Sequence, residues 1–144
     1  MSPRASRIES IHEALDAAEP RPEHTFSATD KKNYAERLSR ALATCLANAL
    51  RPHLPGITPN PTGERQEAPA RTSKGFKKLD VNYSTPELGL GLGVSIKTLN
   101  FPDAGSGRFT KNYSRIDNEL RAEATDYHQR QPYSVLVGVL FLPI

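Results

Sequence analysis

The sequence predicts a mixed α/β domain in which helices pack on a small sheet. Three patterns favour this class: stretches with apolar residues at helical spacing, a stretch in which apolar and small residues alternate, and an almost wholly apolar final segment. Helices that precede and follow strands in this way are typical of a sheet covered by helices. The chain has 144 residues, which suffices for one domain and is short for two.

Three amphipathic helices are predicted because apolar side chains recur at the spacing that places them on one helix face. These helices cover residues 5–19, 30–51 and 115–129. Thr29 or Asp30 is expected to cap the second helix, since a side-chain oxygen can accept from the free amides of the first turn. Ser114 with Asp117 is expected to start the third helix in a similar way.

Two connections are predicted from their proline and glycine content. Residues 52–75 contain five prolines and three glycines and show no periodicity. They favour a long surface connection with one helical turn at residues 64–68. Residues 100–113 are predicted to form a second loop, which also contains glycine.

Strands are predicted in the second half of the chain. The strand pattern begins at Phe76, and from Lys78 to Tyr83 polar and apolar residues alternate, which puts Asp80 inside a predicted strand. Residues 88–97 are expected to form one long bent strand or two short ones. Their apolar side chains are expected on one face: Leu88, Leu90, Leu92, Val94 and Ile96. Residues 133–142 are nearly all apolar, which predicts a central strand covered on both faces.

The predicted organisation is an N-terminal helix and linker over residues 1–29, followed by one core over residues 30–144. The formal net charge is +3, so contact with nucleic acid is expected from a local basic patch and not from the overall charge. The single cysteine, Cys45, excludes an intramolecular disulfide. No secretory signal and no apolar run of about 20 residues is visible, so a cytoplasmic protein without a membrane partner is expected.

Asp80, Ser95 and Lys97 form the pattern that indicates chemistry. Ser95 and Lys97 lie two positions apart and share one face of their predicted strand, where the other residues are glycines. We expect open space above this face, which a phosphate or a metal ion can approach. Phosphodiester hydrolysis needs a divalent ion, which carboxylates hold, and a cation that balances charge in the transition state. Asp80 and Lys97 suit that reaction.

The same residues also have simpler interpretations. Asp80 and Lys97 can form an ion pair on a solvated sheet face, which contributes only about 0–1 kcal/mol to stability. The glycines can serve the close packing of a helix on the sheet equally well. The choice between these interpretations depends on what surrounds the three residues in the folded chain.

The stretches KKLDVNYS, GVSIKT and NELRAE resemble the PD-(D/E)xK nuclease superfamily over residues 30–142. The resemblance implies a restriction endonuclease-like core in the order helix, three strands, helix, strand, here with an extra N-terminal helix. Asp80 matches the first acid of the motif and Lys97 matches its lysine. Ser95 stands where the second acid belongs, as in type II restriction endonucleases that have a Ser-x-Lys motif and take the missing acid from the following helix.

Glu119 and Glu123 are the candidates for that displaced acid, because they lie one turn apart beside the apolar stripe of the predicted helix. The sequence does not choose between them. The resemblance implies that Asp80 and one of these glutamates bind Mg²⁺ or Mn²⁺, that Lys97 positions the attacking water and that Ser95 assists by hydrogen bonding. Glu36 on the first core helix is a further acid that such sites use.

The function that the resemblance implies is metal-dependent endonuclease hydrolysis of DNA, which leaves a 5′-phosphate and a 3′-hydroxyl. Basic residues that flank the site in sequence are expected to contact phosphates: Arg71, Lys74, Lys77, Lys78, Arg108 and Lys111. The alternative is a catalytically inactive module on the same fold that binds nucleic acid or protein, which the serine at position 95 favours. A third interpretation is an unrelated α/β interaction protein. RNA as the substrate and a homodimer both stay open.

Overall fold

The computed structural model of the chain describes residues 7–23, 27–63, 68–72, 75–101, 107 and 110–142, without the side chains of residues 68–72, 75–77 and 110–112. The helices are α1 (Ile11–Ala18), α2 (Ala28–Leu50) and α3 (Thr110–Arg130). The strands are β1 (Ala68–Thr72), β2 (Gly75–Leu79), β3 (Val81–Thr85), β4 (Gly89–Thr98) and β5 (Val135–Phe141). The predicted mixed α/β class is confirmed.

The strands form two separate sheets. Strands β1 and β2 pair as an antiparallel hairpin, whereas β3, β4 and β5 form an open sheet in that order. Strand β3 is antiparallel to β4, and β5 is parallel to β4, with α3 as the crossover connection. The described chain therefore has four strands between α2 and α3, where three were predicted. The prediction of a central strand over residues 133–142 was wrong, since β5 lies at the edge of the sheet that the described residues form.

Helix α1 is short and packs against α2. Ser10 begins it, because the Ser10 hydroxyl accepts from the Glu13 backbone amide at 3.0 Å. Ala14 and Ala18 are fully buried in the core cluster that α2 also enters. The N-terminal helix is thus anchored on the core through small side chains, which permit a close helix–helix approach.

Helix α2 is the longest element and starts earlier than predicted. Ser27 caps it by accepting from the Asp30 amide at 3.2 Å, so neither Thr29 nor Asp30 has the capping role. Tyr34, Leu38 and Leu42 are buried, as the periodic pattern predicted. This stripe packs on the sheet side that carries Val94 and Ile96.

The segment predicted as a long connection contains regular structure at its end. Residues 68–72 form β1, and the hairpin partner β2 follows almost at once. The helical turn predicted at residues 64–68 lies largely outside the described residues, and Ala68 begins β1. The strand predicted from Phe76 to Tyr83 is interrupted at Asp80, which forms a bend between β2 and β3. The alternating pattern could not reveal this break, because both flanking strands keep the same alternation.

Strand β4 is one continuous strand, but its apolar side chains do not share one face. The pairing with β3 passes from Tyr83–Leu92 to Ser84–Leu90 and so leaves Gly91 as an extra residue, which is a β-bulge. Val94 and Ile96 join the cluster with α2, whereas Leu90 joins Leu79 and Tyr127 in a second cluster. Leu88 lies in the turn before β4 and is exposed.

Helix α3 begins at Thr110, so Ser114 lies inside the helix and does not cap it. Ile116 and Tyr127 are buried, as predicted for its apolar stripe. The helix covers the sheet face opposite α2, where Leu120 contacts the Cα side of Gly138. None of the described helices is both long enough and apolar enough to cross a membrane.

Candidate active site

Asp80 is positioned by the bend between β2 and β3. Its Oδ2 atom accepts a hydrogen bond of 2.6 Å from the Ile96 backbone amide, which ties the carboxylate to the adjacent strand β4. The side chain is half-buried. The bend therefore places the first candidate acid beside the strand segment that carries Ser95 and Lys97.

Ser95 and Lys97 both reach helix α3. The Ser95 hydroxyl donates to Glu123 Oε2 at 2.8 Å. The Lys97 Nζ atom lies 3.4 Å from Glu123 Oε1 and 3.7 Å from Glu119 Oε2. The helix crossover between the parallel strands thus brings both candidate glutamates to the lysine, which their sequence positions alone did not establish.

The two glutamates differ in how firmly they are held. The side chains of Glu123 and Lys97 are each 28% exposed, whereas that of Glu119 is 47% exposed and also faces Arg115 at 3.9 Å. Glu123 uses both carboxylate oxygens, one toward Ser95 and one toward Lys97. Glu123 is therefore the better fixed of the two acids.

The pKa of Tyr127 responds to its burial and to the charges around it. Burial, together with the nearby carboxylates of Glu123, Asp80 and Asp126, raises the pKa of Tyr127 to about 12. Because the charges of Asp80 and Glu123 both act on this one phenol, the two acids share its surroundings. The sequence predicted Tyr127 only as a core residue of the helix.

An open cleft of about 400 Å³ lies between α2 and the end of β4. Asp80 and Lys97 line it on the sheet side, and Lys32, Glu36 and Arg40 line it on the helix side. The predicted additional acid, Glu36, thus faces the same cleft as Asp80. The two basic residues of α2 were missed, although each lies four positions from Glu36 and so shares its helix face.

The glycine face of β4 is not bare, so the expected open surface there is wrong. A Cβ atom on Gly93 would lie 2.7 Å from a methyl group of Leu79 and 3.0 Å from one of Leu136. A small cavity of about 60 Å³ remains beside Ser95 and Glu123. The glycines serve close packing under α3, and the larger open cleft lies on the α2 side.

The six basic residues predicted to contact phosphates have different outcomes. Lys78 is exposed, as that function requires. Arg71 and Lys77 lie in the β1–β2 hairpin and Lys111 in the first turn of α3, but their side chains lie outside the described residues, as do Lys74 and Arg108 entirely. The phosphate-binding role of this set stays a prediction.

The residue types around Lys97 suit a hard divalent cation more than a soft one. Asp80, Glu119 and Glu123 offer oxygen ligands, which suit Mg²⁺ or Mn²⁺ and not a zinc centre built from thiolates or imidazoles. Within the described ranges, no group of three or more His, Cys, Asp or Glu side chains is close enough to hold a metal ion. The fit is limited to one or two carboxylates, which is the number that Mg²⁺ commonly uses beside water and substrate phosphate.

Comparisons with known proteins do not assign the chain. No family model, no curated protein and no solved structure matches it.

Proposed function

We propose that the protein is a metal-dependent nuclease that hydrolyses phosphodiester bonds in DNA, on a restriction endonuclease-like core. The supporting observation is the surroundings of Lys97, which lines one cleft with Asp80 and lies within 4 Å of both Glu119 and Glu123. A helix, α2, precedes the strands and α3 connects β4 to β5, as in the element order that the resemblance implies, but β1 adds a fourth strand before α3.

In this proposal Asp80 and Glu123 hold Mg²⁺, with Mn²⁺ as the other ion accepted. We favour Glu123 over Glu119 because the Ser95 hydroxyl already fixes one of its oxygens beside β4. The bound ion would polarise the phosphate and lower the pKa of a water molecule. Serine is too short to replace the motif acid itself, so its contribution is to orient the glutamate that does.

The amine of Lys97 then balances negative charge on the phosphate and orients the attacking water. Its contacts with Glu119 and Glu123, at 3.7 and 3.4 Å, are longer than ordinary hydrogen bonds. Such loose pairing leaves the amine able to turn toward a substrate. The Ile96 amide keeps Asp80 in place throughout.

Cleavage of plasmid and oligonucleotide DNA in Mg²⁺ or Mn²⁺ tests the proposal. The wild type is expected to cut, and Asp80→Asn, Glu123→Gln and Lys97→Ala are each expected to lower the rate by at least about 100-fold, as loss of a charge-stabilising group does. Asp117→Asn is the matched control, because this carboxylate lies on α3 but pairs with Arg121 at 3.0 Å. Equal loss in the control, or full activity in the three variants, would overturn the proposal.

A catalytically inactive binding module is the second candidate. Its support is that Ser95 and Lys97 already occupy both oxygens of Glu123 without a metal ion. Salt-dependent DNA binding by a wild type that never cuts, in either metal, would favour this candidate. A cytoplasmic location and a homodimer stay predictions.

A further inference from the structure

The helix side of the cleft carries basic residues that have no partner in the described part of the chain. Lys32 and Arg40 are exposed and line the cleft. Neither forms an ion pair or a side-chain hydrogen bond with another described residue. Eight helical positions separate them, which corresponds to about 12 Å along the axis at about 1.5 Å per residue.

The neighbouring basic residues of α2 are engaged in packing instead. Arg37 donates to the carbonyl oxygens of Ala18 and Pro20 at 3.1 and 3.0 Å. The Lys31 amine lies 5.3 Å from the ring centroid of Phe101. Two of the basic residues of α2 therefore contact other segments of the chain, whereas the other two face the cleft.

The space between the two cleft-facing cations is kept open. Ala35 and Ser39 line the cleft between them, and both are small. Glu36 lies on the same face, and its carboxylate also has no partner among the described residues. A strand of nucleic acid advances by about 3.4 Å per nucleotide, so the separation of Lys32 and Arg40 covers roughly three nucleotide steps.

We propose that this face of α2, defined by Lys32, Ser39 and Arg40, binds the sugar–phosphate backbone of the strand that enters the cleft toward Asp80 and Lys97. The inference rests on the proposed function for its substrate class. It adds a binding surface that the six predicted basic residues do not include. Contacts of this kind recognise the backbone and are independent of base sequence.

Equilibrium binding of a labelled oligonucleotide, measured by anisotropy in EDTA over a range of salt concentrations, tests the inference without any cleavage. The double variant Lys32→Ala with Arg40→Ala is expected to bind more weakly. It should also reduce the slope of log affinity against log salt by about 1.8 for duplex DNA, or about 1.4 for a single strand. RNA and DNA of equal length are compared, because both present the same phosphodiester backbone.

Two further variants sharpen the test. The matched control is Arg121→Gln with Arg130→Gln, which removes equal charge from exposed positions of α3 that do not line the cleft. Glu36→Gln is expected to strengthen binding in EDTA, since it removes the one carboxylate between the two cations. Melting temperatures verify that each variant is folded.

The inference and the proposed function fail separately. A wild type that never cuts DNA, but loses salt-dependent binding only in the α2 variant, would support the inference and overturn the nuclease proposal. Equal slopes in the α2 variant and the control, or no binding by the wild type to DNA or RNA, would overturn the inference even if DNA is cut.

Discussion

The Ser95 hydroxyl holds the carboxylate of Glu123 in place. The hydroxyl is 2.8 Å from Glu123 Oε2, and the same carboxylate meets Lys97 through its other oxygen. Ser95 on β4 and the longer Glu123 side chain on α3 thus together occupy the space that a single acid on the strand would fill. The position of the carboxylate then depends on helix packing as well as on the strand.

Under the proposed nuclease function, removal of the Ser95 hydroxyl is expected to weaken metal binding without unfolding the chain. Ser95→Ala leaves Glu123 less well oriented, and loss of such an orienting hydrogen bond typically costs about 10–100-fold in metal affinity or activity. The Mg²⁺ concentration that gives half-maximal cleavage measures the effect. Thr125→Val is the control, since this hydroxyl donates to the Arg121 carbonyl on the exposed side of α3. An unchanged Mg²⁺ dependence in Ser95→Ala would contradict the assigned role.

Tyr127 makes the stability of the protein sensitive to alkaline pH. Its pKa is raised from 10.0 to about 12, so between these values the unfolded chain has lost the phenol proton while the folded chain keeps it. The free energy of unfolding therefore falls as the pH rises through this window, by up to about 1.4 kcal/mol per pH unit. Below pH 10.0 both states keep the proton, and the contribution is constant.

Chemical denaturation at a series of alkaline pH values measures this contribution. Tyr127→Phe is expected to lose less stability than the wild type as the pH rises through the window. Tyr133→Phe is the matched control, because Tyr133 is 97% exposed and should behave as the wild type does. Parallel curves for Tyr127→Phe and the wild type would refute the assignment.

Strand β4 is the element that joins the two halves of the core. Val94 and Ile96 pack with α2, while Gly93 lets Leu79 and Leu136 approach the opposite face. The missing Cβ at position 93 is what allows these leucines to meet the strand under α3. A glycine in a strand interior weakens the strand itself, so close packing above it is a compensating gain.

Gly93→Ala is expected to destabilise the fold by about 1–3 kcal/mol, because an added methyl group overpacks this contact. The free energy of unfolding in urea measures the cost. The cost should be smaller when Leu79 is replaced by Ala, since its methyl group at 2.7 Å is then absent and only that of Leu136 at 3.0 Å remains close. Additive effects of the two substitutions would show that the leucine is not the obstacle.

The long helices could be predicted from the sequence, whereas the bounds and the pairing of the strands could not. Tyr34 and Leu38 in α2, and Ile116 and Tyr127 in α3, recur at helical spacing and are buried as predicted. Strand β1 was missed because a proline-containing stretch without apolar periodicity resembles a loop, and its pairing with β2 was missed with it. The pairing of Lys97 with the α3 glutamates depends on a crossover connection, which no local pattern encodes.

At the scale of the whole molecule, the end of α2 ties distant segments together. Asn48 donates to the carbonyl oxygens of Ile8 and Pro61 at 2.8 and 3.0 Å. Arg51 donates to the carbonyls of Ile57 and Pro59 at 2.7 and 2.6 Å. These bonds satisfy backbone groups that lack a partner in regular structure, so irregular chain can pack against the helix.

Asn48→Ala is expected to lower the free energy of unfolding by about 1–3 kcal/mol, because two carbonyl oxygens in partly buried positions lose their donor. The effect should appear in urea unfolding and as faster amide exchange around residues 7–10 and 57–63. Asn118→Ala, at an exposed position of α3, provides the comparison. Equal stability of the two variants would mean that these bonds contribute little.

The extra residue at Gly91 has a consequence for how the gene tolerates change. On the Lys97 side of the bulge, even-numbered positions of β4 belong to the interior shared with α2, whereas Leu90 on the other side belongs to the interior under α3. A scan of substitutions along β4 should therefore show alternate positions that do not tolerate polar residues. The interior to which the even-numbered positions belong should change at position 91. Deleting the codon for Gly91 would remove the bulge but keep Leu90 paired with Ser84, because a residue directly next to Leu92 in a regular strand still faces the interior under α3.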